Sequence, residues 1–440
     1  MSVKVCKFGG TSMADANIIR NVKSIIGSDE TRRFVVVSAP GKRYSDDKKV
    51  TDLLLACHKE LLKTGTCKKS FSAVRARFTD IVKQLNLSID FEAVLDATLE
   101  RIEKEKSEQF TASRGEYLCG IVVAEYFGMR FIDAEDVIFF NENGTLNADK
   151  TYRAVASAVN KAGRAVIPGF YGVDENGKVR TFSRGGSDIS GAVVARAVNA
   201  TLYENWTDVS GFLACDPNIV DSPEPIEALS YKELRELSYM GANVLHSESI
   251  FPVRKANIPI QIKNAFRPED KGTTIVPTSR YIPSGRRVTG IAGKKNFTVI
   301  YIEKSLMNSE IGFARKVLSV VEAENISVEH MPTGIDTMSL LIESKDLSEL
   351  KLDRILEGIK CEVEPDIIRV IENIALIATV GHGMSSSVGT SARLFNAIAA
   401  AEISIKMIDM GSSELNIIVG VKNEDYERCI KAIYREFFKG

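Results

Sequence analysis

Lys7-Phe8-Gly9-Gly10-Thr11-Ser12 joins a short apolar strand, Val3 to Phe8, to an amphipathic helix. Two glycines at a strand-to-helix turn let backbone N–H groups approach a phosphate, and the helix N-terminus adds a positive dipole. Lys7 stands immediately before the glycines, where an ammonium group can neutralise a phosphoryl group in transfer. By itself a Gly-Gly turn is more often structural than phosphate-binding, and neither G-x-x-x-x-G-K-[ST] nor G-x-G-x-x-G is present. The function of the turn therefore has to be judged with the motifs that follow it.

Short β-branched runs alternate with helical patterns over the first two-thirds of the chain. Further strands are predicted at Phe34 to Val37, Ala165 to Ile167 and Leu202 to Trp206, with a helix from Asp188 to Asn199. This alternation predicts an α/β fold in which a mainly parallel sheet lies between two layers of helices. Ligands of such sheets bind at the carboxyl ends of the strands.

A segment rich in proline and glycine, roughly Pro268 to Arg287, ends the alternating pattern and indicates a domain boundary. Beyond it the chain repeats itself at an offset of 77 positions: Gly312 matches Gly389, and Ile326-Ser327 matches Ile403-Ser404. Two copies of one supersecondary unit predict a pseudo-symmetric pair. We therefore predict domains at residues 1–283, 284–368 and 369–440.

The composition is typical of a soluble small-molecule enzyme. Its 57 basic and 58 acidic residues give a net charge of −1, so no strong field attracts nucleic acid or an anionic membrane. No apolar run approaches the roughly 20 residues of a membrane helix, and the N-terminus lacks the apolar core of a signal peptide. Seven isolated cysteines and four scattered histidines favour a reduced, cytoplasmic protein without a protein-held metal site.

Three further motifs carry polar groups suited to ligands. Ser183 to Asp188 holds a second glycine pair at a helix start, with Arg184 as a bidentate donor for a carboxylate. Asn205 to Gly211 follows a strand and is placed to contact a nucleoside. Glu116 is suited to an amine. Taken singly, the first motif is as often only a capped helix, the second is compatible with a surface turn, and a helical glutamate is usually only solvated.

Together these motifs resemble the aspartate kinases of the amino-acid kinase superfamily, over essentially the whole chain. The run K-F-G-G-T-S at residues 7–12 is followed, in the family's order, by other markers. These are V-S-A-P at 37–40, S-R-G-E at 113–116, R-G-G-S-D at 184–188, W-T-D-V at 206–209 and D-P at 216–217. The repeated C-terminal units are similar to the family's tandem ACT regulatory domains, which have a ferredoxin-like fold.

The resemblance implies a role for each motif in transferring phosphate from ATP to aspartate. Lys7 and Asp188 would be catalytic, with Asp188 organising the lysine and the nucleotide. The substrate would be bound by Thr51, Glu116, Arg184 and Ser187. ATP would be bound by Lys7, Phe8, Gly9, Gly10, Thr207 and Asp208, and Mg²⁺ would be held mainly by the nucleotide phosphates. A carboxylate nucleophile needs positioning and charge neutralisation, but no general base.

The sequence departs from the family at three positions that the resemblance places around ATP. Where many relatives read G-A-K-V-L-H-P, this chain has Asn243 in place of the lysine. Leu213 and Asn218 stand where relatives often carry a tyrosine and an arginine around Asp216-Pro217. We expect altered contacts to the nucleotide on that side.

The tandem units predict regulation by an amino acid, for which lysine is expected and threonine is the alternative. The first copy has a loop that opens its helix, with free backbone N–H groups for an α-carboxylate and Glu310 and Glu329 for an ammonium group. The predicted effector site comprises Met307, Glu310, Gly312, Phe313, Val328 and Glu329. Pairing of open sheet edges predicts a homodimer, or a dimer of dimers. Two alternatives stay open: a glutamate-type amino-acid kinase, and a non-catalytic amino-acid sensor.

Overall fold

The computed structural model describes residues 2–183, 185–242, 244–245, 249–281, 285–384, 387–411 and 414–439. The chain divides into two compact units. The first is drawn from residues 1–212, 225–231 and 243–281, and the second from residues 213–224, 232–242 and 282–440.

The first unit contains ten strands among its described residues. They are β1 (Lys4–Phe8), β2 (Arg32–Val37), β3 (Arg130–Phe131), β4 (Ala165–Pro168), β5 (Tyr171–Val173), β6 (Val179–Thr181), β7 (Leu202–Thr207), β8 (Ala228–Ser230), β9 (Ile260–Asn264) and β10 (Thr273–Val276). Eight form one sheet in the order β3-β4-β2-β1-β7-β9-β10-β8, and β5 pairs with β6. The sheet is parallel from β3 to β9, and β10 is antiparallel to β9.

Helices accompany these strands as the alternating pattern predicts. They are α1 (Ala16–Gly27), α2 (Val50–Thr64), α3 (Lys68–Gln84), α4 (Phe91–Glu105), α5 (Glu108–Phe127), α6 (Ala134–Val137), α7 (Ala148–Ala162), α8 (Gly186–Ala197), α9 (Tyr231–Tyr239) and α10 (Phe251–Lys255). All but the first residue of α9 belongs to the second unit. The central strands β1 and β2 are buried over most of their length, as strands covered on both faces must be.

The second unit is built on a five-stranded antiparallel sheet. Its further elements are β11 (Gly290–Glu303), α11 (Phe313–Ala323), β12 (Thr337–Glu343), α12 (Glu349–Val363), β13 (Ile367–Val380), α13 (Thr390–Ala400), β14 (Met407–Asp409), β15 (Asn416–Lys422) and α14 (Tyr426–Tyr434). The strand order is β12-β11-β13-β15-β14.

The internal repeat is visible in the element boundaries of this unit. Strand β13 begins 77 positions after β11, and helix α13 begins 77 positions after α11. The two long strands serve both repeats. Residues Val299–Glu303 of β11 pair with the first half of β13 and with β12. Residues Gly290–Lys294 pair with the second half of β13, which also pairs with β15.

The predicted fold class, an α/β sheet domain followed by two ACT-type units, is confirmed. The domain limits given above from the sequence stay a prediction. Among the described residues, no helix is long and apolar enough to cross a membrane.

Candidate active site

Lys7 and Asp188, which the sequence assigned to catalysis, form an ion pair at the carboxyl ends of the strands. Lys7 lies near the end of β1 and Asp188 in the first turn of α8, with 2.5 Å between Nζ and Oδ1. The Nδ2 atom of Asn205 donates to the same carboxylate oxygen at 2.9 Å. Asn205 lies directly opposite Lys7 in the pairing of β1 with β7. Both groups thus fix the carboxylate, while Lys7 remains 8% exposed.

Backbone contacts hold the two glycines after β1, and the second of them, Gly10, has no room for a side chain. The N–H of Gly9 donates to the carbonyl oxygen of Trp206 at 3.0 Å, and the carbonyl oxygen of Gly10 accepts from the N–H of Gly41 at 2.7 Å. A Cβ atom on Gly10 would stand 2.9 Å from the carbonyl oxygen of Ala39. The loop after β1 is therefore packed backbone to backbone against the loop after β2.

Phe8 does not present its side chain to a ligand. It is fully buried and stacks on Trp206, with ring centroids 5.8 Å apart. Its predicted contribution to ATP binding is consequently limited to its backbone.

The start of α8 places Ser187 beside Asp188. Ser187 is buried, and a Cβ atom on Gly169, which follows β4, would lie 2.8 Å from the Ser187 Cβ. Gly185 caps the helix with a φ of 63°, a left-handed conformation that favours glycine. Arg184 lies outside the described residues.

Glu116 is buried in α5, which corrects the simple expectation of a solvated helical glutamate. It is 5% exposed, and its Oε2 atom has no hydrogen-bond partner. Burial raises the pKa of this carboxyl to about 8, against the opposing effect of a hydrogen bond from the Ala39 backbone. Ala39 also touches Gly10, so Glu116 adjoins the glycine loops. A buried carboxyl with an unused oxygen is suited to an ammonium group of a ligand.

The remaining predicted residues of the first unit lie at the ends of elements. Thr51 is half-buried in the first turn of α2, directly after the loop that follows β2. Thr207 ends β7, and its Oγ1 atom donates to the exposed Asp208 carboxylate at 3.2 Å. The Asn264 Nδ2 atom donates to the Asp208 carbonyl oxygen at 3.4 Å. Thr207 and Asp208 therefore leave the sheet at the same strand end that carries Asn205.

The three further positions that the family resemblance places around ATP do not add to this picture. Leu213 and Asn218 belong to the second unit and are exposed. The backbone N–H and the side-chain amide of Asn218 both donate to Asp216 at 2.9 Å. Asn243 lies outside the described residues.

The predicted effector residues differ in their surroundings. Met307 and Phe313 belong to the hydrophobic core of the first repeat. Gly312 caps α11 with a φ of 82°, and Val328 is half-buried. Glu329 is contacted by the hydroxyl of Tyr239.

Glu310 is already neutralised by two cations. Its carboxylate oxygens lie 2.6 Å from the Nζ of Lys304 and 2.7 Å from the Nζ of Lys316. Hydrogen bonds from these two lysines lower the pKa of Glu310. The acidic pair expected from the sequence is thus reduced to Glu329.

The sequence did not indicate the roles that two residues of the site have in the structure. Asn205 was placed with the nucleoside motif, but it orients Asp188. Gly41 was not singled out, although a Cβ atom there would lie 2.7 Å from the backbone carbon of Gly10. Only the pairing of β1 with β7 and the packing of two loops reveal these roles, and neither leaves a local pattern.

The comparisons with known proteins agree with this geometry. The model of the amino acid kinase family matches residues 2–264, and an ACT domain model matches residues 377–437. Aspartokinase 3 of Bacillus subtilis (strain 168) is 38% identical over 100% of this chain and 99% of its own length.

Two solved structures have similar folds. The Clostridium acetobutylicum aspartate kinase has a TM-score of 0.91 and 49% identity, over 99% of this chain and 100% of that chain. The E. coli aspartokinase III, solved in complex with aspartate and ADP, has a TM-score of 0.77 at 24% identity, over 99% and 100% of the two chains.

Proposed function

Since this chain belongs to the aspartokinases of the amino acid kinase family, we propose that it transfers the γ-phosphoryl group of ATP to the β-carboxylate of L-aspartate. The product is 4-phospho-L-aspartate. The observation that carries this proposal is the ion pair of Lys7 with Asp188 beside the glycine loops, with the unused Glu116 oxygen next to them.

The residues have complementary tasks in this reaction. Lys7 places its ammonium group where negative charge accumulates on the phosphoryl group in transfer, and Asp188 with Asn205 holds that ammonium in position. The Glu116 carboxylate accepts the substrate α-ammonium group. By the family resemblance, Arg184 clamps a substrate carboxylate. The attacking β-carboxylate is already ionised at neutral pH, so orientation replaces base catalysis.

We place Mg²⁺ on the phosphates of the nucleotide. No group of three or more His, Cys, Asp or Glu residues within the described ranges is arranged to hold a metal ion. This fits Mg²⁺, which keeps several waters and usually binds to substrate phosphates with few protein ligands. When bound, the ion neutralises phosphate charge.

The reaction is tested by measuring ADP formation with aspartate, with glutamate and without an amino acid. We expect phosphorylation of aspartate at a kcat/KM at least about 100-fold above that for glutamate, because the extra methylene misplaces the attacking carboxylate. Preference for glutamate would establish the glutamate-type alternative. The absence of ADP formation with both, in a folded protein, would favour the amino-acid sensor.

We further propose that the ACT-type repeats form a homodimeric platform that binds lysine and lowers kinase activity. Ile311 and Val388 support the dimer: they lie 77 positions apart, each just before a helix-capping glycine, and each is 97% exposed. Fully exposed apolar side chains at equivalent positions are suited to burial against a partner. The molecular mass of the protein in solution distinguishes a dimer from a dimer of dimers. We assign the enzyme to the cytoplasm.

Glu329→Ala is expected to weaken inhibition by lysine at least about tenfold, since Glu329 is the carboxylate of the proposed site that is hydrogen-bonded by a tyrosine hydroxyl, whereas Glu310 is held by two lysines. Inhibition curves for lysine and threonine measure this. Tyr239→Phe is the matched control, because it removes the contact to Glu329 but keeps the carboxylate. Equal loss in both variants would show that Glu329 acts through Tyr239. Inhibition of the wild type by threonine alone would replace lysine as the effector.

A further inference from the structure

We propose that Arg77 is a positioning residue for aspartate binding, which it serves by holding the loop between β2 and α2 against the glycine turn. This inference rests on the proposed kinase function. Arg77 belongs to α3 and was not singled out by any sequence motif. The loop comprises residues 38–49.

Arg77 contacts the loop at two points. Its side chain is 4% exposed, and Nη2 donates to the carbonyl oxygen of Gly41 at 2.5 Å. Nη1 donates to the carboxylate of Asp47 at 2.6 Å. One planar guanidinium thus contacts two points of the loop that are six residues apart. The single ammonium group of a lysine does not offer the same rigid pair of donors.

The loop that Arg77 holds forms one wall of the candidate active site. The N–H of Gly41 donates to the carbonyl oxygen of Gly10, so Gly41 is hydrogen-bonded both to Gly10 and to Arg77. Two positions earlier, the Ala39 backbone hydrogen-bonds the Glu116 carboxyl. At the far end the N–H of Val50 donates to the carbonyl oxygen of Pro40, and Thr51 follows directly. The loop therefore sets the positions of two residues that we assign to aspartate.

The Asp47 carboxylate receives hydrogen bonds from two arginines. Asp47 is also bound by the backbone N–H and the Nε of Arg43, at 3.0 and 2.8 Å. Hydrogen bonds from Arg43, and then from Arg77, hold the pKa of Asp47 well below its usual range. A buried ion pair is weak evidence for stability in general. Here both terminal nitrogens of Arg77 are hydrogen-bonded to the loop, so the pair constrains the position of the loop. Here the geometry fixed is that of a substrate-binding loop.

Removal of the guanidinium is expected to raise KM for aspartate about 10- to 100-fold, with a smaller change in KM for ATP, because loose placement of binding groups costs affinity for the ligand they orient. The matched control is Arg75→Met. Arg75 lies on the same helix and pairs with Glu92 and Asp96, away from the loop. The Arg75→Met variant loses the same charge, and we expect its KM values for aspartate and for ATP to stay near those of the wild type.

The loop also offers a readout that does not depend on the reaction. Lys42, Arg43, Lys48 and Lys49 are exposed sites for trypsin within it. We expect Arg77→Met to be cut in this loop at least about tenfold faster than Arg75→Met, because a segment is cleaved from its locally opened state. If the wild type does not phosphorylate aspartate but Arg77→Met is still cleaved faster, the proposed substrate is wrong, whereas the contact of Arg77 with the loop is supported.

The full experiment compares Arg77→Met, Arg77→Lys, Asp47→Asn and Arg75→Met by KM for both substrates, loop cleavage and urea unfolding. Support requires a selective rise in KM for aspartate with faster loop cleavage in Arg77→Met, and intermediate values in Arg77→Lys and Asp47→Asn. If Arg77→Met does not fold, the two milder variants decide. Equal shifts of both KM values, or cleavage at the rate of Arg75→Met, would overturn the positioning role.

Discussion

Lys7→Ala is expected to lower kcat by about 100-fold or more, while KM for ATP changes far less. A decrease in kcat of this size is expected when an enzyme loses one hydrogen-bond donor to the charge that develops in the transition state. Lys7 is held for this role by the Asp188 carboxylate at 2.5 Å, which Asn205 orients in turn. Steady-state kinetics with ATP and aspartate varied separately measure the change as a loss of transition-state stabilisation.

Lys4→Ala provides the control for the loss of a lysine from the same strand. Lys4 lies at the opposite end of β1, where it pairs with Asp29 and Glu204. We expect kcat to remain within about twofold of the wild type, because this pair is remote from the glycine loops. An unchanged kcat in Lys7→Ala, with only a higher KM for ATP, would mean that Lys7 serves ground-state binding.

Glu116→Gln is expected to raise KM for aspartate at least about 30-fold and to leave KM for ATP nearly unchanged. The substitution keeps the shape of the side chain but removes the charge that pairs with the α-ammonium group. Breaking a buried charge pair costs about 2 kcal/mol or more, which corresponds to this factor. A larger change in KM for ATP than for aspartate would show that Glu116 has been assigned to the wrong substrate.

The raised pKa of Glu116, about 8, adds a pH dependence with a definite sign. The free enzyme keeps this carboxyl protonated at neutral pH, whereas the bound ammonium group requires the carboxylate. Binding therefore releases a proton, and KM for aspartate should fall as the pH rises from about 6 to 8. In Glu116→Gln this trend should disappear.

The same pKa predicts a trend in stability. Between pH 4.5 and 8 the folded state retains a proton that the unfolded state releases, so the stability of the wild type falls as the pH rises. Relative to Glu116→Gln, the loss should reach about 1.4 kcal/mol per pH unit at most. Urea unfolding of both proteins across this range measures the difference. Parallel curves would contradict the buried, protonated state.

Much of the fold could be predicted because its signals are local. The strand at Val3 to Phe8 corresponds to β1, and the run from Phe34 to Val37 forms the buried part of β2. The repeat offset of 77 positions reappears in the starts of β11 and β13. Apolar periodicity and turn residues determine such elements without reference to distant parts of the chain.

The contents of the site were less predictable because its contacts join distant residues. Lys7 and Asp188 were recognised through family motifs, but the pairing of Asn205 with Asp188 depends on the register of two strands. Glu310 was predicted to form an acidic pair with Glu329 for a bound ammonium group, although Lys304 and Lys316 neutralise it. Spacing along the chain reports which residues share a face, but not which charges are already paired.

The exchange of strands between the two repeats limits how the C-terminal unit can be shortened. Residues Gly290–Lys294 begin the long strand of the first repeat, yet their ladder partners lie in the second half of β13. A truncation that removes the second repeat from within β13 would remove these ladder partners and expose an edge of the sheet, which is open to aggregation. Engineering for relief of feedback inhibition should therefore alter side chains within the intact tandem, since deletion of one repeat dismantles the other.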